Sequence, residues 1–253
     1  MNKNIDLKNY KLDIFIKDMH QFGISLDEKQ LIQFIQYYEL LIEWNSFMNL
    51  TAITEYEEVL KKHFIDSLSI LNILKYQELS TGSISVIDIG TGAGFPGIPL
   101  KIVFPNLRMI LMDSLKKRIN FLESVIDELS LSDIRAVHGR AEEYADAEKG
   151  EYREQFDICV SRAVANLSTL SEYCLPYVKV GGAFISYKSG KVEDEYIQAE
   201  KAIDLLGGRK KKKASFTIPG TDISRTLFLI GKVYKTPVKY PRKAGLPSKE
   251  PLN

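Results

Sequence analysis

Residues 86–94 read VIDIGTGAG, and this stretch decides the fold. Its first four residues form a short, mostly apolar run, which is typical of a buried strand in a parallel sheet. Gly90, Gly92 and Gly94 follow at alternate positions. Glycine permits a tight turn and a close approach of the backbone to a ligand, because no Cβ stands in the way. The stretch therefore predicts a strand that runs directly into a ligand-binding turn.

The chain on the C-terminal side of residue 80 alternates between two patterns. Short apolar runs, separated by amphipathic stretches, cover residues 85–89, 109–112, 134–137, 156–160 and 183–187. Repeated β-α units of this kind predict a parallel sheet with helices on both faces. Runs at 214–218 and 226–233 have no helix between them and predict an antiparallel hairpin at the sheet edge. The predicted fold class is α/β, with a Rossmann-like, mostly parallel sheet of seven strands.

The first 80 residues are predicted to be helical. Apolar residues between Leu31 and Ile42 recur at the spacing of an amphipathic helix, and Asp27 lies ahead of them as an N-cap. A second apolar stripe runs from Leu60 to Leu74. The predicted units are an N-terminal helical segment at 1–80 packed on the catalytic domain, the α/β domain at 81–235, and a basic C-terminal tail at 236–253.

Charge is distributed unevenly along the chain. The net charge is +1, but the last 45 residues contain 12 Lys and Arg against two acids, so the remainder is negative. This asymmetry favours a polyanionic partner that approaches from the C-terminal side. The alternative is a solvated tail that keeps the protein soluble.

The sequence lacks the patterns that would predict a membrane span, a signal peptide or a metal site. No stretch approaches the roughly 20 apolar residues that span a bilayer, and the N-terminus has no apolar core of a signal peptide. We therefore predict a cytoplasmic protein without a membrane partner. Cys159 and Cys174 are the only cysteines, too few for a zinc site or a disulfide framework. We expect both to pack in the core, and no metal site is predicted.

Phe95 bears on which nucleotide the glycine turn could bind. A dinucleotide fingerprint needs a small residue three positions after the second glycine, and Phe95 occupies that place. The glycine spacing is instead similar to that of class I methyltransferases, which bind S-adenosylmethionine. Asp113 ends the second strand, where an acid can accept hydrogen bonds from both hydroxyls of a ribose. The alternative role for Asp113 is to cap the helix that follows.

The stretch Ser161-Arg162-Ala163-Val164 follows the fourth strand, where methyltransferases place residues that meet the substrate. The Asn/Asp-Pro-Pro-aromatic motif of enzymes that methylate exocyclic amines is absent here. Neither cysteine fits the nucleophile that methylation of pyrimidine C5 requires. Guanine N7 needs neither device, because its lone pair is nucleophilic and no proton has to leave, so positioning and electrostatics suffice. The residues are consistent with N7 chemistry without selecting it.

Together these motifs resemble the family of small-subunit ribosomal RNA methyltransferase G, also called glucose-inhibited division protein B. The matching pieces span nearly the whole chain in the family's order. They are NLT at 49–51, HFIDS at 63–67, DIGTGAGFPGIPLKI at 88–102, DSLKKR at 113–118, SRA at 161–163 and YPRK at 240–243.

The resemblance implies a class I methyltransferase that transfers a methyl group from S-adenosylmethionine to N7 of a guanine in 16S ribosomal RNA. With the glycine turn and the acid of the second strand, the predicted cofactor-binding residues are Gly90, Gly92, Gly94, Phe95, Asp113, Ala141, Glu142 and Arg162. Arg162 is also the predicted catalytic residue. The residues predicted to meet the RNA are His63, Lys188, Arg242 and Lys243.

The expected partner is 16S ribosomal RNA or a small-subunit particle, and the protein is expected to be a monomer. Two alternatives stay open. One is a non-catalytic RNA-binding or ribosome-assembly protein that retains the fold. The other is a methyltransferase for small molecules, which would leave the basic segment without a role.

Overall fold

The structure, a computed structural model, describes residues 5–190 and 192–252, except for the side chain of Glu193. Within these residues the strands are β1 Ser85–Ile89, β2 Arg108–Asp113, β3 Ile134–His138, β4 Phe156–Ser161, β5 Val178–Ser189, β6 Gly208–Thr217 and β7 Ser224–Lys232. They form one sheet in the order β3-β2-β1-β4-β5-β7-β6. Strands β1 to β5 pair in parallel, whereas β7 is antiparallel to β5, and β6 to β7. The predicted α/β class with a mostly parallel seven-stranded sheet is confirmed.

Some helices precede the sheet and others alternate with or follow its strands, and together they cover both of its faces. The α-helices of the described residues are α1 Asp13–Gln21, α2 Glu28–Met48, α3 Tyr56–Val59, α4 Asp66–Leu68, α5 Tyr76–Ser80, α6 Gly97–Val103, α7 Lys116–Glu128, α8 Ala141–Tyr144, α9 Leu167–Cys174, α10 Glu193–Leu205 and α11 Leu246–Lys249. A π-helical turn, Leu60–Ile65, joins α3 to α4. Among these helices, none is both long enough and apolar enough to cross a membrane.

Strand β6 differs from the prediction at its start. The sequence predicted a strand at 214–218, but β6 begins at Gly208 and includes the basic run Arg209 to Lys213. This run pairs with β7 along its length, with a register shift between Lys210 and Lys212. β6 is the outer strand of the sheet, and lysines on an edge strand discourage pairing with another chain. Part of the basic C-terminal charge is therefore built into the sheet edge.

The core has two layers, one on each face of the sheet. Alternate residues of β1 point to opposite faces, so Val86 packs with the N-terminal helices and Ile87 packs with α9 and α10. The N-terminal segment is fastened to the sheet domain by hydrogen bonds as well. Gln33 Nε2 donates to Leu129 O at 2.8 Å, and the Tyr37 hydroxyl donates to Ala93 O. Helix α2 begins as predicted at an Asp27 cap.

The described part of the C-terminal segment, residues 236–252, is docked on the domain. Arg153 donates to Thr236 O at 2.7 Å and to Tyr240 O at 2.8 Å. Thr169 Oγ1 donates to Pro247 O at 2.9 Å. These bonds to backbone carbonyls fix the course of the segment along α9, which differs from a solvated tail. The predicted unit boundaries at residues 80 and 235 stay a prediction.

Candidate active site

A cleft of about 650 Å³ opens where the strand order reverses. In such sheets β1 has β2 on one side and β4 on the other, and ligands bind outside the carboxyl ends at this point. Helical residues before the sheet and the C-terminal segment complete the walls. The predicted cofactor residues that line the cleft are Gly90, Gly92, Phe95, Asp113, Ala141, Glu142 and Arg162.

Two glycines of the turn, Gly92 and Gly94, have different surroundings. Gly92 has φ +63°, and a Cβ built on it would meet nothing within 4 Å, because it faces the open cleft. Gly94 has φ +96°, and its Cβ would lie 2.6 Å from Ile98 Cγ1 and 2.8 Å from the Tyr37 hydroxyl oxygen. The structure therefore places Gly94 on the core side of the turn, where it permits close packing. The predicted cofactor contact fits Gly92 better than Gly94.

Asp113 lies between the glycine turn and the start of α7, and its predicted contact with a ribose stays a prediction. Its Oδ1 accepts from Leu115 N at 3.0 Å, which supports the start of α7. Its Oδ2 accepts from Gly92 N at 3.0 Å and from Arg118 Nη1 at 3.1 Å. Arg118 Nη1 also lies 3.4 Å from Oδ1, so these bonds together fix the orientation of the carboxylate. The buried carboxylate lines the cleft directly beside the glycine turn.

Ala141 and Glu142 connect the cleft to the C-terminal segment. Glu142 Oε1 accepts from Gly245 N at 2.7 Å, and Ala141 O accepts from the Tyr177 hydroxyl at 2.7 Å. Ser248, in the short helix α11, also lines the cleft. The start of α8, with two of the predicted cofactor-binding residues, is thus held in place partly by residues near the C-terminus.

His63 lies in the π-helical turn and packs flat on Phe95, with ring centroids 4.4 Å apart and planes 12° from parallel. Its Nδ1 is 3.2 Å from Arg162 Nη2, and its Nε2 is 2.9 Å from Thr51 Oγ1. Because arginine can only donate, Nδ1 accepts and the ring proton is assigned to Nε2, which donates to Thr51. Burial, assisted by the charge of Arg162, lowers the pKa of His63 to about 3. The ring is therefore neutral at physiological pH.

The guanidinium of Arg162 forms an ion pair with a buried acid. Its Nη1 donates to Asp66 Oδ2 at 2.9 Å, and its guanidinium carbon lies 5.0 Å from the centroid of the Phe95 ring. Asp66 is completely buried and also receives Arg225, whose Nε donates to Oδ1 at 2.9 Å. Two arginines from β7 and the loop after β4 thus share one carboxylate. Buried charges need such pairing, because an unpaired ion loses its hydration without compensation.

Sequence reasoning missed the part that Asp66 and Arg225 play in this network. The signal for Asp66 was present, since an acid stands alone within the apolar stretch His63 to Ile70, where it needs a partner. Nothing in the sequence of β7 distinguishes Arg225 from a surface arginine. Its partner lies 159 residues away along the chain.

Lys188 holds the loop between β4 and α9 by a hydrogen bond and an ion pair. Its Nζ is 2.5 Å from Glu195 Oε1 and donates to Ala165 O. The same Glu195 oxygen accepts from Leu167 N at 2.7 Å. Lys188 and Glu195 therefore hold the C-terminal end of the short stretch between β4 and α9. A contact of Lys188 with substrate stays a prediction.

A second cavity, a groove of about 730 Å³, adjoins the cleft. The two share His63 and residues 162–165, so this stretch forms a partition between them. The groove is more cationic than the cleft. Its basic residues are Lys62, Arg162, Lys188 and Arg225, and its acids are Asp66 and Glu195.

Arg242 and Lys243 have different surroundings although they are neighbours. Arg242 Nη2 donates to Glu172 Oε2 at 2.7 Å and its Nε to Oε1 at 3.0 Å, and Glu172 is completely buried. This ion pair commits Arg242 to the fold, because removing it would leave a buried carboxylate alone. The structure therefore favours a structural role for Arg242 over the predicted RNA contact. Lys243 is exposed, and its contact with RNA stays a prediction.

Two other kinds of chemistry find no support in the described residues. Both free thiols, Cys159 and Cys174, are fully buried, and burial raises the pKa of the Cys159 thiol. Neither can serve as a nucleophile in the cleft. Within residues 5–190 and 192–252, no three metal-ligating side chains converge on one point.

The polar groups and the open space of the cleft fit a nucleoside cofactor. Asp113 offers a fixed carboxylate for ribose hydroxyls, and Gly92 leaves open the space that a side chain would fill. The arrangement matches the motif-based prediction of S-adenosylmethionine as the cofactor.

Comparisons with known proteins identify the family. The family model described as GidB, rRNA small subunit methyltransferase G, matches residues 30–223. Ribosomal RNA small subunit methyltransferase G of Lachnoclostridium phytofermentans is 58% identical over 94% of this chain and 96% of its own length. The protein of the same name from Acetivibrio thermocellus is 50% identical over 98% of this chain and its full length.

Solved structures agree at the level of the fold. A sarcosine dimethylglycine methyltransferase of Galdieria sulphuraria aligns with a TM-score of 0.50 at 11% identity, over 67% of this chain and 86% of its own. A transferase of Pyrococcus horikoshii also gives a TM-score of 0.50 at 11% identity, over 65% of this chain and 62% of its own. The Rossmann-like prediction is confirmed by these neighbours, and the resemblance drawn from the motifs is confirmed by the sequence relatives. The chain belongs to the rRNA small subunit methyltransferase G (GidB) family.

Proposed function

We propose that this protein transfers the methyl group of S-adenosylmethionine to N7 of a guanine in 16S ribosomal RNA. One observation carries the proposal beyond family membership. A cleft with the residues of a nucleoside-cofactor site meets a cationic groove at residues 162–165. A methyltransferase that acts on RNA needs these two sites side by side, so that the reacting atoms meet at the partition.

The cleft residues bind and orient the cofactor, which supplies an electrophilic methyl group on a sulfonium. Asp113 accepts hydrogen bonds from the ribose, as its placement beside Gly92 allows. Phe95 and His63 form a flat apolar stack at the end of the cleft. Arg162 faces both cavities from the partition, and its bond to Asp66 holds the guanidinium in one orientation.

The site needs no general base for this reaction. Guanine N7 attacks with a lone pair, and the product is a cation that keeps all its protons. His63 is neutral, with both ring nitrogens occupied by Arg162 and Thr51, and its lowered pKa makes it a poor proton acceptor. Positioning and fixed charge, as supplied by the Asp66 network, are the means by which such a site can act.

The groove supplies the RNA side of the reaction. Its four cations are suited to phosphates, whose contacts position the RNA while the pocket selects the base. The deep major groove of A-form RNA hides N7, so the target guanine should lie in a loop or bulge. A small-molecule methyltransferase would have no polyanionic partner for this cationic groove or for the exposed Lys243.

The proposal is tested by methyl transfer to an unmodified 16S transcript and to small-subunit particles, with labelled cofactor and digestion to nucleosides. We expect label in 7-methylguanosine and in no other nucleoside. Label at an exocyclic amine or at pyrimidine C5 would contradict the proposal. RNA binding without incorporation into any of these substrates would instead favour the non-catalytic assembly protein.

We further propose that the protein acts as a monomer in the cytoplasm, as a basic segment and a ribosomal substrate favour. Light scattering of the 28.8 kDa chain with and without cofactor measures the oligomeric state. A stable dimer would overturn the monomer proposal. We also propose that the structural units of the chain meet at residues 80 and 235, and limited proteolysis can test these boundaries.

A further inference from the structure

Val164 is an apolar side chain held entirely in solvent. It is the most exposed of the large hydrophobic residues in the described chain, at 106% of its reference area, and it stands on the partition between the cleft and the groove. Single exposed apolar residues are common on proteins. This one is unusual in its place, because it lines both cavities of the proposed active site.

The loop that carries Val164 is fixed on both sides. Ala163 N donates to Ser161 Oγ at 3.3 Å, and Ala165 O accepts from Lys188. The glycine turn also approaches the loop, since a Cβ on Gly90 would lie 3.1 Å from Ala163 Cβ. Val164 therefore projects from an immobilised backbone, so its exposure reflects the fold and not a loose end.

The groove beside Val164 combines apolar walls with cations. Ile53 and Ile223 are partly buried in its walls, and Lys62 and Arg225 lie among them. Enzymes hold an extruded base partly between aromatic or apolar side chains, and a cationic groove follows the nucleic-acid backbone. The cleft, by contrast, contains the carboxylate of Asp113, which suits a ribose.

We propose that the groove receives the target guanine as a nucleotide turned out of the RNA, with Val164 packed against the face of the base. Enzymes that modify a base commonly extrude it into a pocket in this way. Lys62, at the edge of the groove, would then meet a flanking phosphate. This inference rests on the proposed function and specifies how its RNA substrate is held.

The test compares Val164→Ser with Val164→Leu, which restores an apolar surface, and with Val238→Ser. Val238 is 83% exposed and lies outside both cavities, so it is the matched control. Single-turnover methyl transfer to the unmodified 16S transcript gives kcat/KM, and calorimetry gives the affinity for S-adenosylmethionine. We expect Val164→Ser to lower kcat/KM about tenfold, the scale of one lost base contact. The same variant should leave cofactor affinity unchanged.

Val164→Leu should stay within about threefold of the unchanged protein, and Val238→Ser should have no effect. Equal rates for Val164→Ser and Val238→Ser would overturn the inference. So would equal losses in Val164→Ser and Val164→Leu, because a restored apolar contact would then have no value. If the unchanged protein transfers no methyl group, the proposed function itself fails, and that result is distinct from a missing Val164 effect.

Discussion

The glycine turn and the C-terminal segment contrast in how well their residue types reveal their roles. At the turn, Gly92 faces the cleft and its N–H donates to Asp113, so the predicted glycine turn and the predicted end of the second strand lie together. In the C-terminal segment, charge favoured a polyanionic partner over a solvated tail, and the family resemblance assigned Arg242 and Lys243 to the RNA. There Arg242 forms an ion pair with the buried Glu172, while its neighbour Lys243 is exposed. The local glycine motif therefore indicated the surroundings of its residues better than the charge of the C-terminal segment did.

The difference lies in how far away the partner is. A glycine turn is defined by backbone geometry over a few residues, and β1 and β2 are adjacent in the sheet. The role of an arginine depends on what the rest of the chain places beside it. Arg242 meets an acid 70 residues away, and Arg153 meets the Tyr240 carbonyl 87 residues away. Net charge counts such residues without showing which of them reach solvent.

The largest expected effect comes from Arg242→Met. This change leaves the carboxylate of Glu172 buried without its partner, so the free energy of unfolding should fall by about 3–5 kcal/mol. Urea unfolding followed by circular dichroism measures it. Lys243→Met is the matched control and should stay within about 0.5 kcal/mol of the unchanged protein. If Arg242→Met keeps its stability and loses RNA affinity instead, the contrast between the two regions disappears.

Asp113→Ala should have the next largest effect. The carboxylate is expected to hold the ribose, and a hydrogen bond to a charged group contributes about 1.5–3 kcal/mol. Cofactor affinity should therefore fall on the order of a hundredfold for two such bonds. Calorimetry measures the affinity, and circular dichroism checks that the fold survives. Glu123→Ala, an exposed acid on the same helix α7, should leave it unchanged.

An unaltered affinity in Asp113→Ala would mean that the carboxylate serves only Gly92, Leu115 and Arg118. The cleft would then bind its cofactor through other groups, and the predicted match at β2 would concern the fold alone. The turn and the C-terminal segment would resemble one another, since both would use their charged residues for structure.

The sequence predicted the sheet well because apolar periodicity reports burial directly. All seven strands lie at the predicted runs, and the main error, the early start of β6 at Gly208, concerns a lysine-rich edge strand without an apolar signal. The site was predicted where motifs follow strands, as at Asp113. It was incomplete where partners come from distant elements, as with Arg225 and Asp66. Side-chain networks of this kind depend on tertiary packing, which one sequence does not display.

His63 offers a prediction of intermediate size, based on pH. Its pKa is lowered from 6.5 to about 3 in the folded protein, mainly by burial. Between these values the unfolded chain binds a proton that the folded chain does not, so stability falls as the pH drops below about 6.5. The slope contributed by one such group is at most about 1.4 kcal/mol per pH unit. His63→Gln should remove it, as measured by urea unfolding from pH 7 to pH 5.

His20 is exposed on α1 and provides the matched control for the loss of a histidine. An unchanged slope in His63→Gln would show that the ring takes up a proton between pH 7 and pH 5 in the folded protein just as it does in the unfolded chain. The assignment of Nδ1 as the acceptor from Arg162 would then be wrong. The cleft network would carry one more positive charge than its geometry indicates.

The smallest expected effect is that of Lys243→Met on RNA binding. If Lys243 contacts one phosphate, its loss should weaken binding to the 16S transcript only a few-fold, because one phosphate among several is involved. The plot of log affinity against log salt should become shallower by about 0.7–0.9. Lys8→Met, which removes an exposed charge near the N-terminus, should leave that slope in place. Equal slopes in both variants would show that Lys243 does not touch the RNA. The C-terminal segment would then serve the protein through its docked residues, such as Gly245 against Glu142, which shape the cleft.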